Sequence, residues 1–408
     1  MRIKVDVEQV QIGMYVAALD RPWLDSPFLF QGFIVETEEE LAMLREHCNY
    51  VFIDDIQSRD TEALRQLKEQ ASATLVVEKP RSTGADPASD TFRNQLQRAV
   101  RTIQRSTEGV IRFFNDMRLG RSVETSEAKA VVSELVSTIA TNSNAALWLT
   151  NLRARHEESA AHCMNTAILA LAFARHLGYS HEQMQVIGLG ALLHDLGIAR
   201  LPDRIIKSSE PLSDEDEELI RRHPRDAYNV LKLTRDFPPE ALDIILHHHE
   251  RVDGTGYPDG LAGDEIAEPV RIVAIANRYD SITTPRPYRP ALMPPDALAE
   301  MHKRAEQNFG RRLMEEFIKC VGIYPVGSVV LLSSGAVGVV ASSNPAARLK
   351  PQVLLVRDEH GRDVLPRRLL DLAAMSSTGL GQWSISRVVD PGDYGIDIAL
   401  IAEEELRG

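Results

Sequence analysis

HHHERVDGTGYPDGLAG, residues 247–263, decides how this chain is read. Three consecutive histidines close the apolar stripe ALDIIL (241–246) and meet a loop rich in Gly, Asp and Pro. On its own, GYPDG (256–260) is a turn signal, since Gly supplies unusual backbone dihedrals and Pro fixes the next one. Its place directly behind HHHERVDGT makes it more than a turn signal.

Working outward, the other histidines are unevenly placed. Nine of the twelve lie between His156 and His249. Glu158 and His162 stand four apart in a helical stretch and so share a face. His194-Asp195 follows VIGLGALL (186–193), a run that reads as a buried helix, and precedes Gly197. Two ligating side chains are thereby placed at a helix end, half held by the core and half open to a cleft. His223 and the pair His248-His249 complete the set. Taken singly, each has a plain explanation. Glu158 and His162 read as a helical polar pair, and His247 to His249 as a solvated helix end. Together, on successive helical elements, they point to metal ligation, because neutral imidazole and carboxylate are ligands for divalent transition metals.

The flanking sequence organises the chain into segments. Residues 1–75 read as a small α+β module: strands at IKVDV (3–7), GMYVAAL (13–19), FLFQGFIV (28–35) and YVFID (50–54), with a short helix at EEELAMLREH (38–47). Residues 76–90, which include EKPRSTGADPASD, read as a linker. Apolar residues then recur at helical spacing from Phe92 to Met117, a run ended by Leu119-Gly120. A second helical pattern covers roughly 127–149, so 91–149 is a helical connector. Residues 150–322 read as an all-helical domain. Residues 323–408 are β-rich: GSVVLLSSGAVGVVAS (327–342) is a hairpin pattern, QVLLVRDEHGRDVL (352–365) reads as strand, turn and strand, and 376–408 carry no single pattern. The fold class is multidomain, α+β, then all-α, then β.

Composition narrows the function. With 44% hydrophobic and 26% charged residues, the chain has the make-up of a globular protein. Its formal net charge of −13 argues against broad nucleic-acid binding, which needs clustered Lys and Arg. Cys48, Cys163 and Cys320 are far apart, so neither a disulfide framework nor a thiolate zinc site is indicated. No signal peptide and no run of about 18 apolar residues is present, so a cytoplasmic protein without a membrane span is expected.

HDLG (194–197), RRHP (221–224), HHHERVDGTGYPDGLAG, RIVAIANRYDSIT (271–283) and RPYRP (286–290) resemble the successive motifs of HD-GYP domains, over roughly 150–320. IGMYVAALDRPWLDSPFLFQGF (12–33) is similar to a module that often precedes such domains, and IYPVGSVVLLSSGAVGVV (323–340) to a β extension of that subgroup. The resemblance implies an all-helical bacterial phosphodiesterase that hydrolyses cyclic di-GMP to pGpG or GMP, with a hydroxide shared by two metals as nucleophile. Iron or manganese suits His-plus-carboxylate ligation, as zinc also can, and the resemblance implies a third ion in some members. Carried over by position, His162, His194 and Asp195 match one metal site. Asp195 bridges to a second, held by His223, His248 and His249. Glu158 matches a ligand of the third. Asp195 and His194 are the catalytic pair. Tyr257, Arg286 and Arg289 match dinucleotide contacts.

Two positions depart from the pattern. Ile198 stands where the family carries Lys, and Asn277 where it carries a metal-binding Asp. Asn277 offers a neutral carbonyl oxygen in that ligand's place. These departures keep a second function open, an HD-GYP receptor that binds cyclic di-GMP or a signalling protein without turnover. A third is a phosphohydrolase for another nucleotide, because fold does not fix function.

Overall fold

The structure is a computed structural model that describes residues 2–19, 33–54, 58, 87–121, 123–150, 158–206, 212–285, 289–344, 346–377 and 383–407. The chain forms two units, Met1–Arg81 and Ser82–Gly408.

The first unit contains β1 (Arg2–Asp6), β2 (Tyr15–Leu19), β3 (Phe33–Ile34), α1 (Glu38–His47) and β4 (Tyr50–Asp54). The strands form an antiparallel sheet in the order β1-β4-β2-β3. Its α1 begins at a reciprocal cap: the Thr37 side chain accepts from the Glu40 N–H, and the Glu40 carboxylate accepts from the Thr37 N–H at 3.1 Å. Of the strand expected over 28–35, the part before Phe33 lies outside the described residues.

The second unit opens with α2 (Pro87–Arg118), which starts inside the stretch expected as linker. Proline is at home in the first helical turn, where its missing N–H has no intrahelical partner to lose. The single helical pattern over 127–149 resolves into α3 (Thr125–Thr141) and α4 (Ser143–Leu149). Asn142 separates them, because its side chain accepts from the Ala145 N–H at 3.1 Å and restarts the helix.

The helical body continues with α5 (Glu158–His176), α6 (His181–Leu193) and a 3-10 turn at Leu196–Arg200. Next come α7 (Asp203–Ile206), α8 (Asp214–Arg221), α9 (His223–Leu231), α10 (Pro239–His247) and α11 (Glu268–Thr283). It closes with α12 (Pro294–Lys303), α13 (Ala305–Asn308) and α14 (Arg311–Val321). The central helix is α6. Ser180 and Gln183 cap its start, and its residues from Ile187 to Leu193 are all buried. From Ile187 on it packs against α3, α5 and α10 and has no solvent face to carry polar residues. Its last turn therefore delivers His194 and Asp195 into the interior.

The C-terminal segment adds β5 (Val329–Leu332), β6 (Val337–Ser342), β7 (Gln352–Arg357), β8 (Asp363–Asp371), α15 (Leu372–Ser377), β9 (Ile385–Val388) and α16 (Ile398–Arg407). The two hairpins form as their patterns predict, and the sheet order is β8-β7-β6-β5-β9. The tail without a readable pattern supplies β9, which pairs with β5. Val330, Leu332, Val340 and Val353 form the core of this sheet. No helix among the described residues is long and apolar enough to cross a membrane.

Candidate metal centre

Five helical segments deliver one cluster. His162 comes from α5, His194 and Asp195 from the end of α6, His223 from the first residue of α9, and His248 and His249 from the end of α10. Asn277 and Asp280 lie on α11, and both are buried.

Asp195 stands between two sets of imidazoles. Its Oδ1 lies 3.1 Å from His223 Nε2 and 3.7 Å from His248 Nε2. Its Oδ2 lies 3.4 Å from His194 Nε2 and 3.6 Å from His162 Nε2. The ligand atoms of Asp195, His223, His248 and His249 fall within 4.8 Å of one another, and so do those of His162, His194 and Asp195. One carboxylate thus belongs to both groups, one oxygen facing each.

The backbone fixes the tautomers. His194 Nδ1–H donates to the Ala191 carbonyl at 2.8 Å, His223 Nδ1–H to Ile220 at 2.6 Å, and His248 Nδ1–H to Ile245 at 2.8 Å. Each bond reaches three residues back, to a carbonyl in the last turn of the preceding helix. A carbonyl only accepts, so the proton sits on Nδ1 and the Nε2 lone pair faces inward. His162 is set from the side instead. Its Nδ1–H donates to Asp280 Oδ2 at 2.6 Å, while Asn165 Nδ2 donates to Asp280 Oδ1 at 2.9 Å.

Lone pairs consequently face lone pairs. His223 Nε2 and His248 Nε2 are 3.3 Å apart, and His162 Nε2 is 3.0 Å from Asn277 Oδ1. His194 Nε2 is buried with no hydrogen-bond partner. Protonation would relieve this, but burial opposes it. It pushes His194 down to about 3 and lowers His248 and His249 as well. Burial alone would raise the Asp195 carboxyl, yet its coupling to the surrounding imidazoles, His194 first and then His223 and His248, holds it well below the carboxylate range. A buried anion ringed by neutral imidazoles with inward lone pairs is a donor set that a divalent cation completes.

Two glycines allow the approach. A Cβ on Gly197 would stand 2.0 Å from the His223 carbonyl oxygen, so the 3-10 turn can lie against α9 only with glycine there. A Cβ on Gly256 would stand 2.4 Å from the Glu250 Cα, so the GYP loop folds back onto α10 for the same reason. Glu250 then fastens that loop, its Oε1 accepting from the N–H groups of Asp259 at 2.7 Å and Gly260 at 3.0 Å. Tyr257 stacks on His249, ring centroids 4.6 Å apart and planes 20° apart, and the Arg221 guanidinium lies 5.3 Å from the Tyr257 centroid.

Of the candidate residues read from sequence, His162, His194, Asp195, His223, His248, His249 and Asn277 meet in this cluster, with Tyr257 at its edge. Glu158 begins α5, but its side chain lies outside the described residues, as does Arg286. Arg289 donates through Nη2 to the Ser281 carbonyl, and its Nε is buried without a partner. Ile198 lies on the 3-10 turn, where its N–H donates to the Asp195 carbonyl at 2.9 Å. Sequence reasoning passed over Asp280, Asn165 and Glu250 as supports of the cluster. Their hydrogen bonds to His162, to Asp280 and to the loop span 9 to 118 positions, which no local pattern reveals. Arg221 was legible only as part of RRHP.

Comparison with known proteins places the same regions in known families. A family model described as an HD domain matches residues 134–313. One described as a domain of unknown function matches 2–128, and one described as a KOW domain associated with HD domain matches 329–394. A cyclic di-GMP phosphodiesterase of Pseudomonas aeruginosa is 33% identical over 379 residues, 92% of this chain and 90% of that protein. The cyclic di-GMP phosphodiesterase response regulator RpfG of Xanthomonas campestris is 35% identical over 147 residues, 36% of this chain and 39% of that one. A 3'3'-cGAMP-specific phosphodiesterase of Vibrio cholerae is 32% identical over 164 residues, 40% of this chain and 36% of that one.

Proposed function

This chain belongs to the family of HD-domain cyclic di-GMP phosphodiesterases, and from that footing we propose that it is a metal-dependent phosphodiesterase hydrolysing cyclic di-GMP to pGpG or GMP. The observation that carries the reading is Asp195, whose two oxygens face two separate groups of imidazoles. A carboxylate so placed suits a pair of ions held side by side.

His162, His194 and Asp195, with Asn277, would hold one ion; Asp195, His223, His248 and His249 would hold the other. Iron or manganese suits this nitrogen-rich, oxygen-completed donor set. When bound, such ions supply a hydrolytic nucleophile from water at neutral pH and offset charge on the non-bridging phosphate oxygens. The protein's own part is preorganisation. Backbone carbonyls lock three imidazoles as Nδ1–H tautomers, and Asp280 locks His162. Burial keeps His194, His248 and His249 neutral, so no proton has to leave them before a cation enters. His194 and Asp195, adjacent at the end of α6, are the proposed catalytic pair. Tyr257, Arg286 and Arg289 are the proposed dinucleotide contacts. The Tyr257 stack on His249 supports the first of them, since it holds an aromatic ring against the imidazole cluster.

The test is turnover of cyclic di-GMP by iron- or manganese-loaded protein under reducing, anaerobic conditions. Asp195→Ala should lower hydrolysis by about a hundredfold to a thousandfold, the size expected for a group used in the transition state. Wild type and Asp195→Ala equally inert, both still binding the dinucleotide, would replace the enzyme by a receptor.

A further inference from the structure

Apart from the metal centre, the helical body and the C-terminal sheet flank an open cavity of 290 Å³. Its walls come from α4, from the last turns of α5 and α14, and from the loop that follows β6. Three cationic side chains, Arg175, Lys319 and Arg348, line it together with His176. One carboxylate answers two of them, with Glu316 accepting from Lys319 Nζ at 2.8 Å and contacting His176 Nε2 at 3.1 Å. Arg175 donates through Nη1 to the Ile139 carbonyl. Among the described residues, no carboxylate lies within ion-pair distance of Arg175 or Arg348.

The fixed positive charges of Arg175, Lys319 and Arg348 therefore share one negative charge, in a chain whose net charge is −13. Like charges gathered in a concavity repel one another, and an anion between them relieves that repulsion. The shape selects among anions. A cavity of 290 Å³ lies at the lower end of ligand pockets, which run about 300–1,000 Å³, so it suits one small molecule and not a dinucleotide or a polymer. Two guanidinium forks and an ammonium match the oxygens of a phosphate dianion better than a lone carboxylate. Asn144 adds an amide, its Oδ1 accepting from the Ser343 hydroxyl at 3.3 Å. Leu147 and Tyr324 give the cavity an apolar side on which a ring can lie.

We propose that this cavity binds a phosphate monoester of about nucleoside-monophosphate size, between the helical body and the sheet. The test uses full-length, metal-loaded protein and equilibrium dialysis with GMP, inorganic phosphate and guanosine. Wild type should bind GMP, with phosphate competing and guanosine not binding. Arg348→Ser and Lys319→Ser should each weaken GMP binding by at least tenfold while metal content stays constant, and Arg348→Lys should recover part of the loss. The proposal is overturned if wild type binds no GMP, if both serine variants bind it as wild type does, if guanosine binds as tightly, or if phosphate binds and GMP is excluded. Metal content is read in the same samples, so failure here is separable from failure of the phosphodiesterase assignment.

Discussion

His194 shows what burial does to a single imidazole. Burial holds its imidazole down to about 3, and lowers His248 and His249 too, whereas an imidazole in an unfolded chain titrates near about 6.5. Between those values the unfolded chain binds more protons, so this contribution to stability is complete above about pH 6.5 and is lost as pH falls. The depressed Asp195 carboxyl acts in the same direction at lower pH. Chelator-treated protein should therefore show a urea midpoint that declines from about pH 7 to pH 5. A flat midpoint would mean that these imidazoles titrate as exposed groups. Asn277 is the other informative residue, its Oδ1 3.0 Å from His162 Nε2. Asn277→Asp puts a charged oxygen beside that lone pair and should tighten metal retention by about tenfold, read as occupancy at limiting metal. Unchanged occupancy would show that position 277 does not ligate.

At the scale of elements, α10 and the loop behind it act as one piece. The helix presents His248 and His249, and Glu250, the next residue, turns back to hold the loop at Asp259 and Gly260. Glu250 is 3% exposed, so removing its side chain leaves two backbone N–H groups without their acceptor. Glu250→Ala should cost about 1–3 kcal/mol of stability and raise KM for the dinucleotide several-fold, with metal content intact. Loss of metal together with an unchanged KM would assign Glu250 to the metal centre and not to the loop. Arg221, stacked over Tyr257, sits at the end of α8, so a third element bears on the same ring.

At the scale of the second unit, the C-terminal sheet is closed by a buried ionic contact. Arg367 on β8, its side chain 9% exposed, bonds to Glu404 and to Glu405 on α16, the latter side chain 4% exposed. Truncating one partner strands a buried charge, which costs about 3–5 kcal/mol. Arg367→Ala should release α16, read as faster hydrogen exchange over 398–407 with β5 to β7 unaffected. Exchange unchanged along that helix would show that apolar packing holds it.

The chain order of the molecule is legible in its sequence because it rests on local physics. The α1 helix carries its cap and its apolar spacing within ten residues, and the β5–β6 and β7–β8 hairpins declare themselves by β-rich runs around turn residues. The side chains that meet in the cluster were legible through the joint spacing of His162, His194-Asp195, His223 and His248-His249, which few purposes other than a metal explain. Tertiary structure alone decided the rest. Asn142 splits a helix that apolar periodicity reads as continuous, because a cap is a hydrogen bond and leaves no trace in hydropathy. Asp280 reaches His162 across 118 positions, and the two oxygens of Asp195 face opposite groups only once α5, α6, α9 and α10 are packed together. Spacing fixes which side chains share a face of one helix. Which faces then meet, and which lone pairs are left pointing at one another, is set by the close packing of several helices at once.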